Sequence, residues 1–307
     1  MRDGGRPEYE KRINGVIDHI HGHLGEELSL TELARIAAFS PYHFHRVFRA
    51  ITGETLFGFI HRTRIERAAG ALVLRPRASV LEIALDHGFS SAAVFARAFR
   101  ARFDMSATEW RAGGAERWRR RNAGQQVRKR GKARPGRRRN TPRKGTEEGP
   151  MNVQVRTLPS FHVAYMRYVG PFGAQGIPEL WEKLRDWMKR RDLLNAEIKL
   201  GVAHDDPDVT DPAKCRYDAC VVVPADFAPD RWVNVADIAG GKYAVSAFTG
   251  SAHDIRGAWD RLYRSWLPDS GYEPDDRPCL ELYRGNPMVD ARAGVFRCEL
   301  CVPVRPV

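Results

Sequence analysis

Residues 39–49 read FSPYHFHRVFR, which places two histidines, a tyrosine and two arginines within eleven residues. Imidazoles this close could ligate a metal, and arginines could fork onto a phosphate or a guanine edge. The metal reading fails on spacing. His43 and His45 are two apart, so on a helix they point in different directions, whereas ligand pairs need a spacing of three or four. Cys298-x-x-Cys301 fails in a similar way: FRCELCVPV is strand-like, residues three apart on a strand face opposite ways, and no second pair completes four ligands. A third candidate is PCLELYR, where Glu281 and Tyr283 share one strand face and Leu280 and Leu282 the other. An acid beside an aromatic suits a lipophilic cation, the carboxylate supplying charge and the ring a cation-π contact. Strand alternation alone fits a solvent-facing Glu281 equally well. No Ser-His-Asp order, phosphate loop or dinucleotide glycine pattern appears, so no catalytic residue, metal or cofactor is assigned.

The elements that position FSPYHFHRVFR become legible through a repeat. SLTELARIAAFS (29–40) matches SVLEIALDHGFS (79–90) at an offset of 50, and Phe44, Arg46, Phe48 and Arg49 match Phe95, Arg97, Phe99 and Arg100 at 51. Each copy opens on Ser-x-x-Glu, a capping box for a short helix. After about two turns, Ser40 suits the cap of a second helix and Pro41 its first position. The pattern predicts a helix-turn-helix, twice. One proline-free helix, with apolar residues Phe57, Ile60, Ile65, Ala68, Ala69 and Leu72, joins the copies, and a leading helix supplies Ile13, Val16, Ile17 and Ile20. In the first copy Phe44, Val47, Phe48 and Ile51 form the buried stripe, leaving Tyr42, His45, Arg46 and Arg49 outward. In the second, Phe95, Ala98 and Phe99 are buried while Ala93, Ala96, Arg97 and Arg100 face out. Such a face meets the major groove: Arg46 and Arg97 suit a guanine edge, Tyr42 and the alanines a thymine methyl, and Ser91 a base or phosphate.

Charge divides the 307 residues into three. Residues 1–114 carry 16 Lys and Arg against 13 Asp and Glu, residues 115–146 carry 14 against 1, and residues 147–307 carry 20 against 24. The whole net charge of +12 therefore sits in the middle segment, which is also poor in apolar residues. That composition predicts a disordered basic linker over 113–150, able to hold phosphate without reading sequence. At 43% hydrophobic, the flanking segments can each bury a core. The chain shows no signal-peptide core and no apolar run of membrane length, and its five cysteines are odd in number, so a reduced cytoplasmic protein without a membrane partner is expected.

Residues 151–307 alternate strand-like and amphipathic segments, with a second repeat of about 80 residues pairing Gly170 with Gly250, Leu200 with Leu280 and Cys220 with Cys301. The expected fold is thus multidomain: an all-α double helix-turn-helix domain, then an α+β domain of two duplicated β-α-β-β units. A groove near the pseudo-two-fold is a natural small-molecule site. Gly201 occupies the duplicate position of Glu281. Tyr165, Tyr283 and Trp259 are the aromatic candidates beside Glu281, while Trp181, Trp187 and Trp266 have spacing typical of core.

LTELARIAAFSPYHFHRVFRAITGETLFGFI with VLEIALDHGFSSAAVFARAFRARFDMSATEWR resembles the AraC-type DNA-binding domain over about residues 8–112. The resemblance implies two helix-turn-helix units on a shared helix, with Tyr42, His45 and Arg46 in one groove and Ser91, Ala93 and Arg97 in the next. GPFGAQGIPELWEKL, VAHDDPDVTDPAKCRYDACVVVP and CLELY, with flanking segments, resemble gyrase-inhibitor-like effector-binding domains across 151–307. That resemblance implies an amphipathic or cationic ligand and carries the motif acid onto Glu281. Together they imply domains at 1–112 and 151–307 of a transcription regulator, with double-stranded DNA, a small-molecule effector and RNA polymerase as partners. A second reading makes the C-terminal domain a hydrolase of electrophilic small molecules using Glu281 and a tyrosine, and a third makes the protein an architectural one held to nucleic acid by its linker.

Overall fold

The computed structural model describes residues 6–121, 151–172, 176–252, 254–275, 277–285, 289–290 and 294–307. The N-terminal half opens with six helices: α1 (Arg6–Gly22), α2 (Leu30–Ile36), α3 (Pro41–Thr52), α4 (Leu56–Leu74), α5 (Val80–Asp86) and α6 (Ala92–Phe103). Hydroxyl caps start five of them. Ser29, Ser40, Thr55, Ser79 and Ser91 each accept from a backbone N–H three residues on, satisfying a donor that the first helical turn leaves free. Only the second copy closes its capping box, through Glu82 reaching back to Ser79 N. In the first copy Glu32 leans toward His19 instead, at 4.0 Å.

Each helix pair has its own core. Ile13, Val16, Ile17 and Ile20 of α1 pack with Phe44 and Phe48 of α3, and Phe95 and Phe99 of α6 pack with Ile83 and Leu72. The connecting helix α4 serves both cores. Phe57, expected in its apolar stripe, is 78% exposed, because Leu56 and Phe59 fill the position facing α3. Arg64 of α4 ties the units together by donating to Leu24 O at 2.9 Å, Glu26 O at 2.7 Å and Gly88 O at 3.0 Å. The turn of the second unit needs glycine: Gly88 has φ 74°, and a Cβ there would lie 2.5 Å from Leu24 O. The first unit makes the same turn with Ala38 at φ 53°.

Helix α7 (Ala107–Glu109) leads into a kink, where Ala112 and Gly113 leave helical geometry and Gly113 takes φ 94°, and α8 (residues 115–121) follows. Residues 115–121, expected at the start of the linker, are thus helical. Trp110 donates from Nε1 to Ala69 O at 2.9 Å, and Trp118 packs edge-on to Phe103 with ring centroids 5.2 Å apart. Averaging charge over 115–146 hid the anchoring Trp118. The rest of the expected linker, 122–150, lies outside the described residues.

The C-terminal half is an antiparallel sheet in the order β1-β6-β10-β8-β3-β4-β2-β5. Its strands are β1 (Val153–Leu158), β2 (Phe161–Val169), β3 (Ile198–Ala203), β4 (Arg216–Val222), β5 (Asn234–Ile238), β6 (Gly241–Gly250), β7 (Tyr272–Pro274), β8 (Cys279–Arg284), β9 (Val289–Asp290) and β10 (Val295–Pro306); β7 and β9 pair with β10. Helix α9 (Gly176–Arg190) follows β2, and α10 (Ile255–Arg261) follows β6. The order is symmetric about the β8/β3 junction, as duplicated units require. Each β-α-β-β unit also has a leading strand given to the other unit: β1 pairs with β6, and β5 with β2. Gly201 and Glu281 face one another across the central junction. Cys298 and Cys301 lie in separate apolar clusters on the two faces of β10.

Candidate functional site

Two places gather the residues singled out by the sequence. The first is the pair of outward faces on α3 and α6. Tyr42, His45, Arg46 and Arg49 are exposed, as are Ala93, Arg97 and Arg100, while Phe44, Phe48, Phe95 and Phe99 are fully buried beneath them. A helix held by one aromatic stripe presents the opposite stripe without its own side chains in the way. Arg46 lies 5.5 Å over the Tyr42 ring and donates to its hydroxyl at 3.2 Å, so phenol and guanidinium are presented together. Ser91 is half-buried and caps α6 through Val94 N at 3.3 Å. Val47 and Ile51 are half-buried at the edge of the stripe, and His43 is exposed.

The second place is the β3/β8 junction beneath α9 and α10. Glu281 Oε2 accepts from Tyr217 Oη at 2.6 Å and from Tyr283 Oη at 2.8 Å, and Trp259 of α10 is a third hydrogen-bond partner. Trp181 of α9 donates from Nε1 to Tyr217 Oη at 3.2 Å, and its ring meets Tyr283 edge-on at 5.3 Å. Burial pushes the Glu281 carboxyl above its ordinary 4.5, against the pull of the three donors. The same burial, beside Glu281, pushes the Tyr217 and Tyr283 phenols well above 10.0, so they donate and do not ionise. Among the described residues no cationic side chain pairs with Glu281. Gly201 makes this closeness possible, since a Cβ there would stand 2.0 Å from Tyr217 Oη.

Three of the four aromatic or acidic candidates therefore converge: Glu281, Tyr283 and Trp259. Tyr165 does not. It lies on the opposite sheet face among Val163, Leu200 and Val202, with its hydroxyl on Asp18 of α1. Strand parity places it there, because Ala164 and Met166, not Tyr165, face the α9 side. Sequence reasoning missed Tyr217, although its alternation with Asp218 put it on the same face as Ala219 and Val221. Trp181, taken as core, is half-buried at the site, whereas Trp187 is core at 1% exposure. Among the described residues no group of three or more His, Cys, Asp or Glu could hold a metal ion, and no helix is long and apolar enough to cross a membrane.

Against known proteins, the profile of a GyrI-like small molecule binding domain matches residues 151–305, and that of a helix-turn-helix domain matches 33–113. A DNA gyrase inhibitor of Escherichia fergusonii is 34% identical over 154 residues, which is 49% of this chain and 93% of that protein. YosT of Bacillus subtilis, a prophage-derived protein named as a transcriptional regulator, is 29% identical over 155 residues, 50% of this chain and 100% of that one. A solved AraC-type transcriptional regulator from Chromobacterium violaceum is 25% identical and covers 36% of this chain and 96% of its own, with a TM-score of 0.32. None of these names supports a hydrolase.

Proposed function

The chain belongs to the GyrI-like small molecule binding family, joined to an AraC-type helix-turn-helix domain, and from that premise we propose how each half recognises its partner. The protein is a DNA-binding regulator with an effector-binding C-terminal domain. In our reading the domains are 1–121 and 151–307, and the protein works in the cytoplasm, acting on RNA polymerase from its DNA site. Tyr42, His45, Arg46 and Arg49 on α3, with Ser91, Ala93, Arg97 and Arg100 on α6, read two stretches of major groove. The guanidinium groups of Arg46 and Arg97 supply bidentate contacts, and the phenol and alanines supply apolar ones.

The effector is a lipophilic cation held by Glu281. One observation carries this reading: the Glu281 carboxyl is surrounded by two phenols and two indoles and, among the described residues, has no cationic side-chain partner. A buried carboxylate without a counter-ion is costly, so the site gains most from a ligand that brings the charge. The ring faces of Trp181, Trp259, Tyr217 and Tyr283 supply stacking and cation-π attraction to its apolar body. Titrating tetraphenylphosphonium into the full chain by calorimetry tests the assignment. Saturable binding should weaken about tenfold or more in Glu281→Gln, the scale of one lost charged contact. Equal affinity in both proteins would remove Glu281 from the site.

A further inference from the structure

The loop between β3 and β4, residues 204–215, has its ends at the effector site and its middle in the DNA-reading unit. β3 carries Gly201, and Tyr217 is the second residue of β4. Between them the chain crosses to the helices. Val209 is 5% exposed within the apolar cluster of Phe103, Trp110 and Trp118. Its carbonyl accepts from Arg102 of α6 at 3.1 Å, and Thr210 Oγ1 donates to Glu66 Oε2 of α4 at 3.0 Å. Glu66 also holds Arg62 at 2.9 Å and Arg102 at 3.1 Å, while Lys214 pairs with Glu54 at 2.7 Å. Asp208 accepts from Arg256 of α10, the helix that carries Trp259, at 3.1 Å. One loop thus touches α6, α4 and the helix over the effector site.

A second contact starts one residue from Tyr217. Asp218 faces the other side of the sheet, where it holds Arg167 at 2.7 Å, and Arg167 reaches Asp18 of α1 at 2.8 Å. The contact is incompletely satisfied: both His21 ring nitrogens and Arg167 Nη1 are buried without a hydrogen-bond partner.

We propose that the β3–β4 loop couples the effector site to the second DNA-reading unit. The proposal rests on Glu281 being the effector's counter-charge. A cation that takes the carboxylate displaces the Tyr217 hydroxyl, moves the start of β4, and reseats Val209 and Thr210 beneath α4 and α6. The Tyr217–Glu281 bond is the contact that differs between the empty and occupied states, which is what a ligand needs in order to shift an equilibrium.

The test uses the full chain, tetraphenylphosphonium as probe, and a duplex selected from random DNA. Saturating probe should change the DNA Kd by about fivefold or more, and DNA should change the probe Kd by the same factor. In the double variant Val209→Ala with Thr210→Val that factor should fall below about twofold, with probe and DNA each still bound alone. Bound probe with no effect on DNA affinity, or an undiminished factor in the double variant, overturns the coupling. A second arm needs no ligand. Tyr217→Phe removes the bond to Glu281, and amide exchange over 204–215 and 66–72 should quicken by about tenfold, equivalent to about 1.4 kcal/mol of local opening. Unchanged exchange overturns the coupling, whereas absence of probe binding with quickened exchange faults only the effector assignment.

Discussion

Gly201 and Glu281 are partners across the β3/β8 junction, and the missing side chain of one is the space in which the other is bound by Tyr217. Duplication set the same backbone position twice. In one copy it carries the acid, and in the other it carries no side chain, so the pseudo-two-fold is broken at its own axis.

Restoring a side chain at Gly201 should therefore close the site. In Gly201→Ala the new Cβ would fall 2.0 Å from Tyr217 Oη and 2.7 Å from Glu281 Oε2, so the buried Tyr217 ring must move. Overpacking of this kind costs about 1–3 kcal/mol. Urea unfolding should show that loss, and calorimetry should show weaker tetraphenylphosphonium binding. Wild-type affinity would mean that Tyr217 and the cation do not compete for the same carboxylate.

The pH dependence of binding follows from the raised carboxyl. Below its folded value Glu281 is neutral, so cation affinity should rise as pH climbs above 4.5 and level off once the group ionises. Stability has the opposite sign. The folded chain holds this proton more tightly than the unfolded one, so the group's contribution is most favourable below 4.5 and declines as pH rises through the folded value. Glu281→Gln should accordingly have a flat binding profile, with its Tm relative to wild type increasing from pH 4 to pH 7. Calorimetry and thermal melts across that range check both.

Much of the helical half was readable because its signals are local. Ser caps, Pro41 and the Phe44/Phe48 and Phe95/Phe99 stripes fix each helix and its buried face within a dozen residues, and the structure has them all. The duplicated sheet was readable from its repeat, yet the exchange of β1 and β5 between units was not, since the repeat says nothing about which edge a leading strand joins. Tyr165 was misplaced and Tyr217 overlooked for a related reason: aromatic character survives in composition, whereas sheet face depends on parity along each strand. The docking of Val209 into the second helical core had no signal at all, because HDDPDVTD reads as a polar loop.

Groove contacts should separate from phosphate contacts by mutation. Arg46→Ala and Arg97→Ala should each cost about 1–3 kcal/mol at particular base pairs and relax selection there, while leaving the slope of affinity against salt little changed. Replacing the arginines at 137–139 should instead weaken all sequences alike and flatten that slope. Selection from random DNA with footprinting over a salt series distinguishes them. Uniform loss for Arg46→Ala would place it on phosphate.

The first helix-turn-helix carries a removable strain. Ala38 sits at φ 53°, where its counterpart Gly88 has no Cβ to crowd the backbone. An L-residue in this region costs about 1–2 kcal/mol, part of which glycine returns as unfolded-chain entropy. Ala38→Gly should stabilise the chain by about 0.5–1 kcal/mol, visible as a higher urea midpoint with an unchanged slope. A loss of stability would show that Ala38 gains more from packing than it loses to strain.

The ion network behind the sheet makes the strongest stability prediction. Asp218 is 3% exposed and holds Arg167 through two 2.7 Å bonds and His204 through one of 2.6 Å. The Arg167 guanidinium and His204 hold its carboxyl well below the ordinary 3.8 despite burial. Its stabilisation is therefore fully present above 3.8 and is lost as pH falls toward the folded value. Asp218→Asn leaves the guanidinium with Asp18 as its remaining carboxylate, and breaking a buried pair in this way costs about 3–5 kcal/mol. Urea unfolding at pH 7 should show that loss, and the gap to wild type should narrow on acidification. Because Arg167 also anchors α1, the variant should expose the α1 amides near Asp18 to exchange before the sheet opens. A mutant that unfolds in one step with wild-type protection in α1 would show that contacts other than Asp18–Arg167, such as Tyr165 on Asp18 and Lys11 on Asp230 O, hold the helix to the sheet.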